Sequence, residues 1–170
     1  MGLFLLMLRV PADAAQRAIG LKNRIARDYR LRGFAYEAER LHITLFNLGR
    51  EMSRERIGWI ERRAPSVATS PFEVEFNRAM SWPDALVLLG EEKPAALTAF
   101  RRELGAVLGL RRSGFTPHVT LMRGATAVED QQVQSLRWTV CDFAFVHSVD
   151  RRYVELGRWP LAATQPARPD

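Results

Sequence analysis

A four-residue pattern occurs twice in this chain: His42-Ile43-Thr44-Leu45 and His118-Val119-Thr120-Leu121. Both copies lie in apolar runs that read as β-strands. Alternation along a strand puts residues i and i+2 on one face. His42 and Thr44 therefore share a face, and Ile43 and Leu45 anchor the opposite one in a core. His118 and Thr120 repeat the arrangement over Val119 and Leu121. Two such strands facing each other would form a pocket with two imidazoles and two hydroxyls, a set suited to acid–base chemistry on a phosphate ester.

A single His-x-Thr carries little information, because most strand histidines only make local hydrogen bonds. The pair is different. The chain has 3 histidines, and two of them head the full pattern, a coincidence on the order of one in ten thousand from average composition. His147 lacks the pattern and reads as a strand-end residue without a catalytic role. No Cys or carboxylate stands at ligand spacing beside either motif histidine, so no metal and no cofactor is expected. The single cysteine, Cys141, lies between Val140 and Phe143. It forms no internal disulfide and reads as a core thiol of a cytoplasmic protein.

The formal net charge is +6 and the pI is about 10.4. Nearly all the positive charge is arginine, since Lys22 and Lys93 are the lysines. Arginine binds phosphate through a planar two-pronged contact that lysine lacks. The balance favours a polyanionic partner such as RNA over an acidic protein or a membrane. No apolar run is long enough to cross a bilayer. The opening Leu3–Leu8 run has neither a basic flank nor a small-residue cleavage site, and it reads as a first buried strand.

Along the chain, a strand over 3–10 ends at Pro11. Asp13 is placed to cap a helix reaching about Arg30. The first motif strand follows over about 40–48. Ser53 opens a helix through about Arg63, before Pro65. A strand begins at Pro71, Trp82-Pro83-Asp84 marks a turn, and a short strand spans 85–89. A helix over 94–108 leads to the second motif strand, and two late strands cover 137–148 and 152–159. The sequence strand, helix, motif strand recurs, which indicates a partial internal duplication with one motif in each half. The short connections argue for a compact α+β protein with sheets against helices. Residues 1–161 read as one domain and 162–170, rich in Pro and Ala, as a disordered tail. A monomer is expected.

The motifs and their surroundings resemble the 2H phosphoesterases, and within them the LigT-type RNA 2′,3′-cyclic phosphodiesterases, also called RNA 2′-5′ ligases. Leu41-His42-Ile43-Thr44-Leu45-Phe46-Asn47-Leu48-Gly49 resembles the family's first motif. Phe115-Thr116-Pro117-His118-Val119-Thr120-Leu121-Met122-Arg123 resembles the second, and Trp159-Pro160-Leu161 the closing strand. The resemblance implies a bilobal fold, with two antiparallel sheets facing each other and helices outside. It also implies metal-independent opening of a 2′,3′-cyclic phosphate to a 2′-phosphate, with RNA or a nucleotide as substrate. On that analogy His42 is the proton donor to the leaving ribose oxygen and His118 the proton acceptor that activates water. The sequence itself does not distinguish the two roles.

Thr44 and Thr120 are expected to donate hydrogen bonds to non-bridging phosphate oxygens. Arg123 has the opposite strand parity from His118, so it reaches a phosphate only through a twist at the strand end. Phe115 is placed either to stack on a base at the groove mouth or to pack in the core. Ligation, action on a small cyclic metabolite, and nucleotide or RNA binding without turnover are the competing readings.

Overall fold

The computed structural model describes residues 2–111, 114–125 and 128–162. Among these residues nine strands and three α-helices follow in the order β1 (Leu3–Arg9), α1 (Ala12–Asp28), β2 (Phe34–Ala35), β3 (His42–Asn47), α2 (Arg54–Arg63), β4 (Phe72–Ser81), β5 (Ala85–Leu89), α3 (Ala95–Val107), β6 (His118–Arg123), β7 (Gln131–Val140), β8 (Asp142–Val149) and β9 (Arg152–Pro160). The architecture is α+β and antiparallel throughout, as expected. The ladder runs β7-β4-β5-β6-β3-β1-β8-β9, with β2 added to β6. The two motif strands are therefore central neighbours. They meet at a single registered pair, Ile43 with Val119, so the sheet is two four-stranded halves hinged on the motifs.

The duplication expected from element order extends to the register. In the first half His42, Ile43 and Thr44 lie opposite Arg9, Leu8 and Met7. In the second, His118, Val119 and Thr120 lie opposite Leu89, Leu88 and Val87. Each ladder then slips by one residue, at Leu45 in β3 and at Leu121 in β6. Such a bulge inverts the parity of everything beyond it. Phe46 and Met122 turn into the core, and Asn47 and Arg123 turn out.

Helices cover one face of the sheet. Ala14, Ala18, Leu21 and Ile25 of α1 and Leu97, Phe100 and Leu104 of α3 join Leu6, Leu8, Ile43 and Val119 in one core. Gly105 lets α3 pack closely on β3, since a Cβ there would stand 3.1 Å from Cζ of Phe46 and push that ring by a few tenths of an ångström. The other face carries only small apolar clusters, Leu5, Met7, Ala144 and Val146 in one half and Ala85, Val87 and Leu89 in the other. That thinly covered face holds both His-x-Thr couples.

Several local expectations change. Pro11, not Asp13, precedes the first turn of α1, with no side-chain cap, and Asp13 lies within that turn, where its charge suits the helix dipole. Ser53 does cap α2, its Oγ accepting from the Arg56 N–H at 3.1 Å. The stretch over 137–148 is two strands, β7 and β8, broken at Cys141. That break leaves Cys141 exposed, between buried Val140 and half-buried Asp142, so it is not a core thiol. His147 stacks on Phe4 with ring centroids 4.3 Å apart, a packing role. The tail over 162–170 lies, apart from Ala162, outside the described residues.

Candidate active site

Register alone brings four side chains together. With Ile43 opposite Val119, Thr120 stands across from His42 and His118 across from Thr44. His42 and His118 lie on opposite sides of that single pair, diagonal to one another. All four residues are half-buried, while Ile43 and Val119 behind them are fully buried.

The two imidazoles are oriented alike. Nδ1 of His42 lies 2.8 Å from the Arg40 carbonyl, and Nδ1 of His118 lies 2.8 Å from the Thr116 carbonyl. A carbonyl only accepts, so each Nδ1 carries the proton and each Nε2 is left to exchange one with a substrate. The bond two residues upstream is a consequence of the repeated strand entry, and it makes the two couples chemically equivalent at first approximation.

Their surroundings are not equivalent. Arg9 is the ladder neighbour of His42, where Leu89 is that of His118. The Tyr153 hydroxyl stands 3.1 Å from Nδ1 of His42. Trp82, partly exposed, sets its ring edge-on to His118 at 5.2 Å. Burial pushes the His42 imidazole down to about 4, with His118, Arg40 and Arg9 adding to the effect and the Arg40 carbonyl opposing it. Between pH 6.5 and 4 the unfolded chain therefore binds a proton at this residue and the native protein does not. Stability present above pH 6.5 is lost as pH falls through that window. The thermal midpoint of His42→Gln is expected to depend less steeply on pH across it than that of the wild type; equal slopes would contradict a neutral buried His42.

The edges of the motif strands differ as well. Beyond the bulge, β6 is covered by β2: Phe34 and Ala35 pair with Arg123 and Met122, and the Tyr36 N–H donates to the Leu121 carbonyl at 3.0 Å. Among the described residues no strand pairs with the corresponding edge of β3, whose other edge is held by β1. Its bulged Leu45 carbonyl instead accepts from Nε of Arg101 at 2.9 Å. The Arg101 guanidinium is held between the rings of Phe46 and Phe115, at 4.4 and 4.5 Å. The uncovered edge opens a cleft of about 440 Å3, bounded by Thr44, His118, Trp82, Phe115, Arg101 and Arg111 among others. The described residues of this lining include no Asp or Glu. A cavity of about 470 Å3 elsewhere sets Glu73, Glu75, Glu91 and Glu92 against Lys93 and Arg137, a net negative lining that disfavours phosphate.

Phe115 packs on the Arg101 guanidinium and lines the cleft. Arg123 is turned to the groove face by the bulge at Leu121, and its Nη1 lies 3.6 Å from Oδ1 of Asp84 in an exposed pair. Trp82, Arg101 and Tyr153 were not singled out by the motifs, since none is near one in sequence. Among the described residues no three His, Cys, Asp or Glu side chains converge on a point where a metal ion could sit.

The sequence model of the 2′-5′ RNA ligase superfamily matches residues 10–152. The chain belongs to that superfamily. Membership places its chemistry among phosphodiesterase and ligase reactions. No curated protein matches the sequence. Among solved structures, apo Escherichia coli LigT is similar with a TM-score of 0.82 at 24% identity, covering 94% of this chain and 97% of that one. The complex of E. coli LigT with 3′-AMP gives 0.80 at 27% identity, covering 96% and 98%. The protein TT0787 of Thermus thermophilus gives 0.78 at 19% identity, covering 96% and 100%. E. coli LigT has also been solved with phosphate, ATP and NADP+. These neighbours share the overall fold of this chain. No described helix is long and apolar enough to cross a membrane.

Proposed function

We propose that this protein hydrolyses a terminal 2′,3′-cyclic phosphate of RNA or a nucleotide to a 2′-phosphate, without a metal. The observation that carries the reading is the meeting of the two His-x-Thr couples at one bridging pair, each with its Nδ1 tied back and its Nε2 available. In-line displacement at phosphorus needs a base on one side and an acid on the other. Two imidazoles on a ladder diagonal suit that demand.

His118 takes the proton of the attacking water, and His42 gives one to the departing 3′ oxygen. His42 is neutral in the free protein near pH 7, so it acquires its proton with the anionic substrate, whose charge favours the imidazolium. Thr44 and Thr120 donate to the non-bridging oxygens as charge builds there. The acid-free cleft with Arg101, Arg111 and Trp82 suits a nucleotide, through charge and ring stacking. Arg123, on the groove face, is placed to reach a phosphate oxygen at the cost of its exposed pair with Asp84.

The test is a turnover panel of 2′,3′-cyclic mononucleotides, RNA with a cyclic end, and a cyclic phosphate of ADP-ribose, run in EDTA. Full activity on cyclic-ended RNA or nucleotides, with a 2′-phosphate product, is expected. Loss of turnover in EDTA with recovery on adding zinc or magnesium would refute the metal-free scheme. Ligation is the same displacement with a ribose hydroxyl in place of water, and a 5′-hydroxyl RNA added to the panel reveals it as a 2′-5′ product.

A further inference from the structure

The internal duplication makes the two imidazoles equivalent in strand position, in register and in their bond to the carbonyl two residues upstream. One interaction breaks that equivalence at the nitrogen itself. Nδ1 of His42 has a second partner, the Tyr153 hydroxyl, at 3.1 Å. Nδ1 of His118 has the Thr116 carbonyl and, on another side of its ring, the edge of Trp82.

Tyr153 is far from β3 in the ladder, since β1 and β8 lie between β3 and β9. It reaches His42 because its side chain extends from the edge strand across the groove face, where the ring packs on the cluster of Leu5, Met7, Ala144 and Val146. The phenol is then fixed from several directions. The Arg40 guanidinium lies over its ring at 5.2 Å and that of Arg9 at 5.7 Å. Arg40 also lies over Tyr36 at 5.0 Å, and Arg9 is paired with Glu155 of β9 at 3.3 Å. The Tyr153 ring stands edge-on to the imidazole at 85°.

We propose that Tyr153 is a positioning residue for His42: its phenol oxygen accepts from Nδ1–H alongside the Arg40 carbonyl, fixing the ring and supporting the imidazolium. The need for such support is visible in the surroundings. The charged groups near His42 from the packed elements are Arg9 on β1, Arg40 before β3 and His118 on β6, and all disfavour a second positive charge. Glu155 is engaged by Arg9 and Arg158. A doubly accepted Nδ1–H offsets part of that opposition at the atom concerned. His118 has an apolar ladder neighbour, Leu89, and among the described residues its ring partners are the Thr116 carbonyl and Trp82. The phenol therefore marks His42 as the imidazole built to carry a proton, which rests on the two-histidine reading given above.

Tyr153→Phe removes one oxygen and leaves the ring packing in place. The expected result is a roughly tenfold fall in kcat with KM little changed, the size typical of losing a partner that orients a catalytic ring. Histidine side-chain NMR of the free protein is the second readout, and it needs no substrate. The His42 titration is expected to move to lower pH in the variant, while that of His118 stays in place. Unchanged His42 titration, or an equal displacement of both histidines, would overturn the proposal. Failure of the wild type to turn over any cyclic phosphate would instead remove the catalytic reading and leave the titration result standing by itself.

Discussion

His42→Ala and His118→Ala are each expected to lower kcat on a 2′,3′-cyclic phosphate by about a hundred- to ten-thousand-fold. Each removes one complete proton transfer, and such transfers contribute rate factors of that size. The double variant is expected to be little worse than either single one, because an acid and a base serving one displacement act as a unit. Folding should survive both changes. Each ring is half-buried on the groove face, and Ile43 and Val119 keep the strands anchored in the core behind. Steady-state kinetics beside thermal midpoints check both points. Wild-type turnover in either single variant would remove that histidine from the chemistry.

Thr44→Val and Thr120→Val are the second-largest effects, with kcat expected to fall on the order of a hundredfold for each. Valine keeps the volume and the β-branch, so the strand is retained while the donor is lost. A hydroxyl aimed at a non-bridging oxygen acts most strongly as charge builds in the transition state, so kcat falls more than KM rises. The two variants should behave alike, because Thr44 and Thr120 hold equivalent register positions, opposite Met7 and Val87. A rise in KM with kcat unchanged would show the hydroxyls binding the ground state only. Each loss should be smaller than that from removing a histidine.

What made the fold readable was parity. In His-x-Thr-Leu, alternation separates the chemical face from the anchoring face before any tertiary contact is known. The recurrence of strand, helix and motif strand carried the duplication in the same way, and the structure matches it to the register. The bulges were not readable. Leu45 and Leu121 are ordinary strand residues with no Gly or Pro to mark an insertion, and the slip arises where each motif strand meets β1 or β5. Strict alternation therefore put Arg123 on the wrong face, and one extra residue returned it to the groove.

Contacts made across the ladder were equally hidden. Tyr153 is 111 residues from His42 in the chain and meets it only because its ring extends across the groove face from the edge strand. Arg101 sits on an amphipathic helix that reads as ordinary, yet it satisfies a carbonyl exposed by the bulge in β3. Cys141 failed for a simpler reason. Flanking apolar residues imply burial only within one continuous strand, and the chain breaks there between β7 and β8.

The claim on which the account depends is that both couples act on one phosphoryl centre. A crystal structure with a bound nucleoside 2′-phosphate tests it most directly. The expected result is a single phosphate between the two Nε2 atoms, each within about 2.6–3.2 Å of a phosphate oxygen, with both threonine hydroxyls donating to it. A phosphate held by one His-x-Thr couple alone, or seated away from both, would contradict the account.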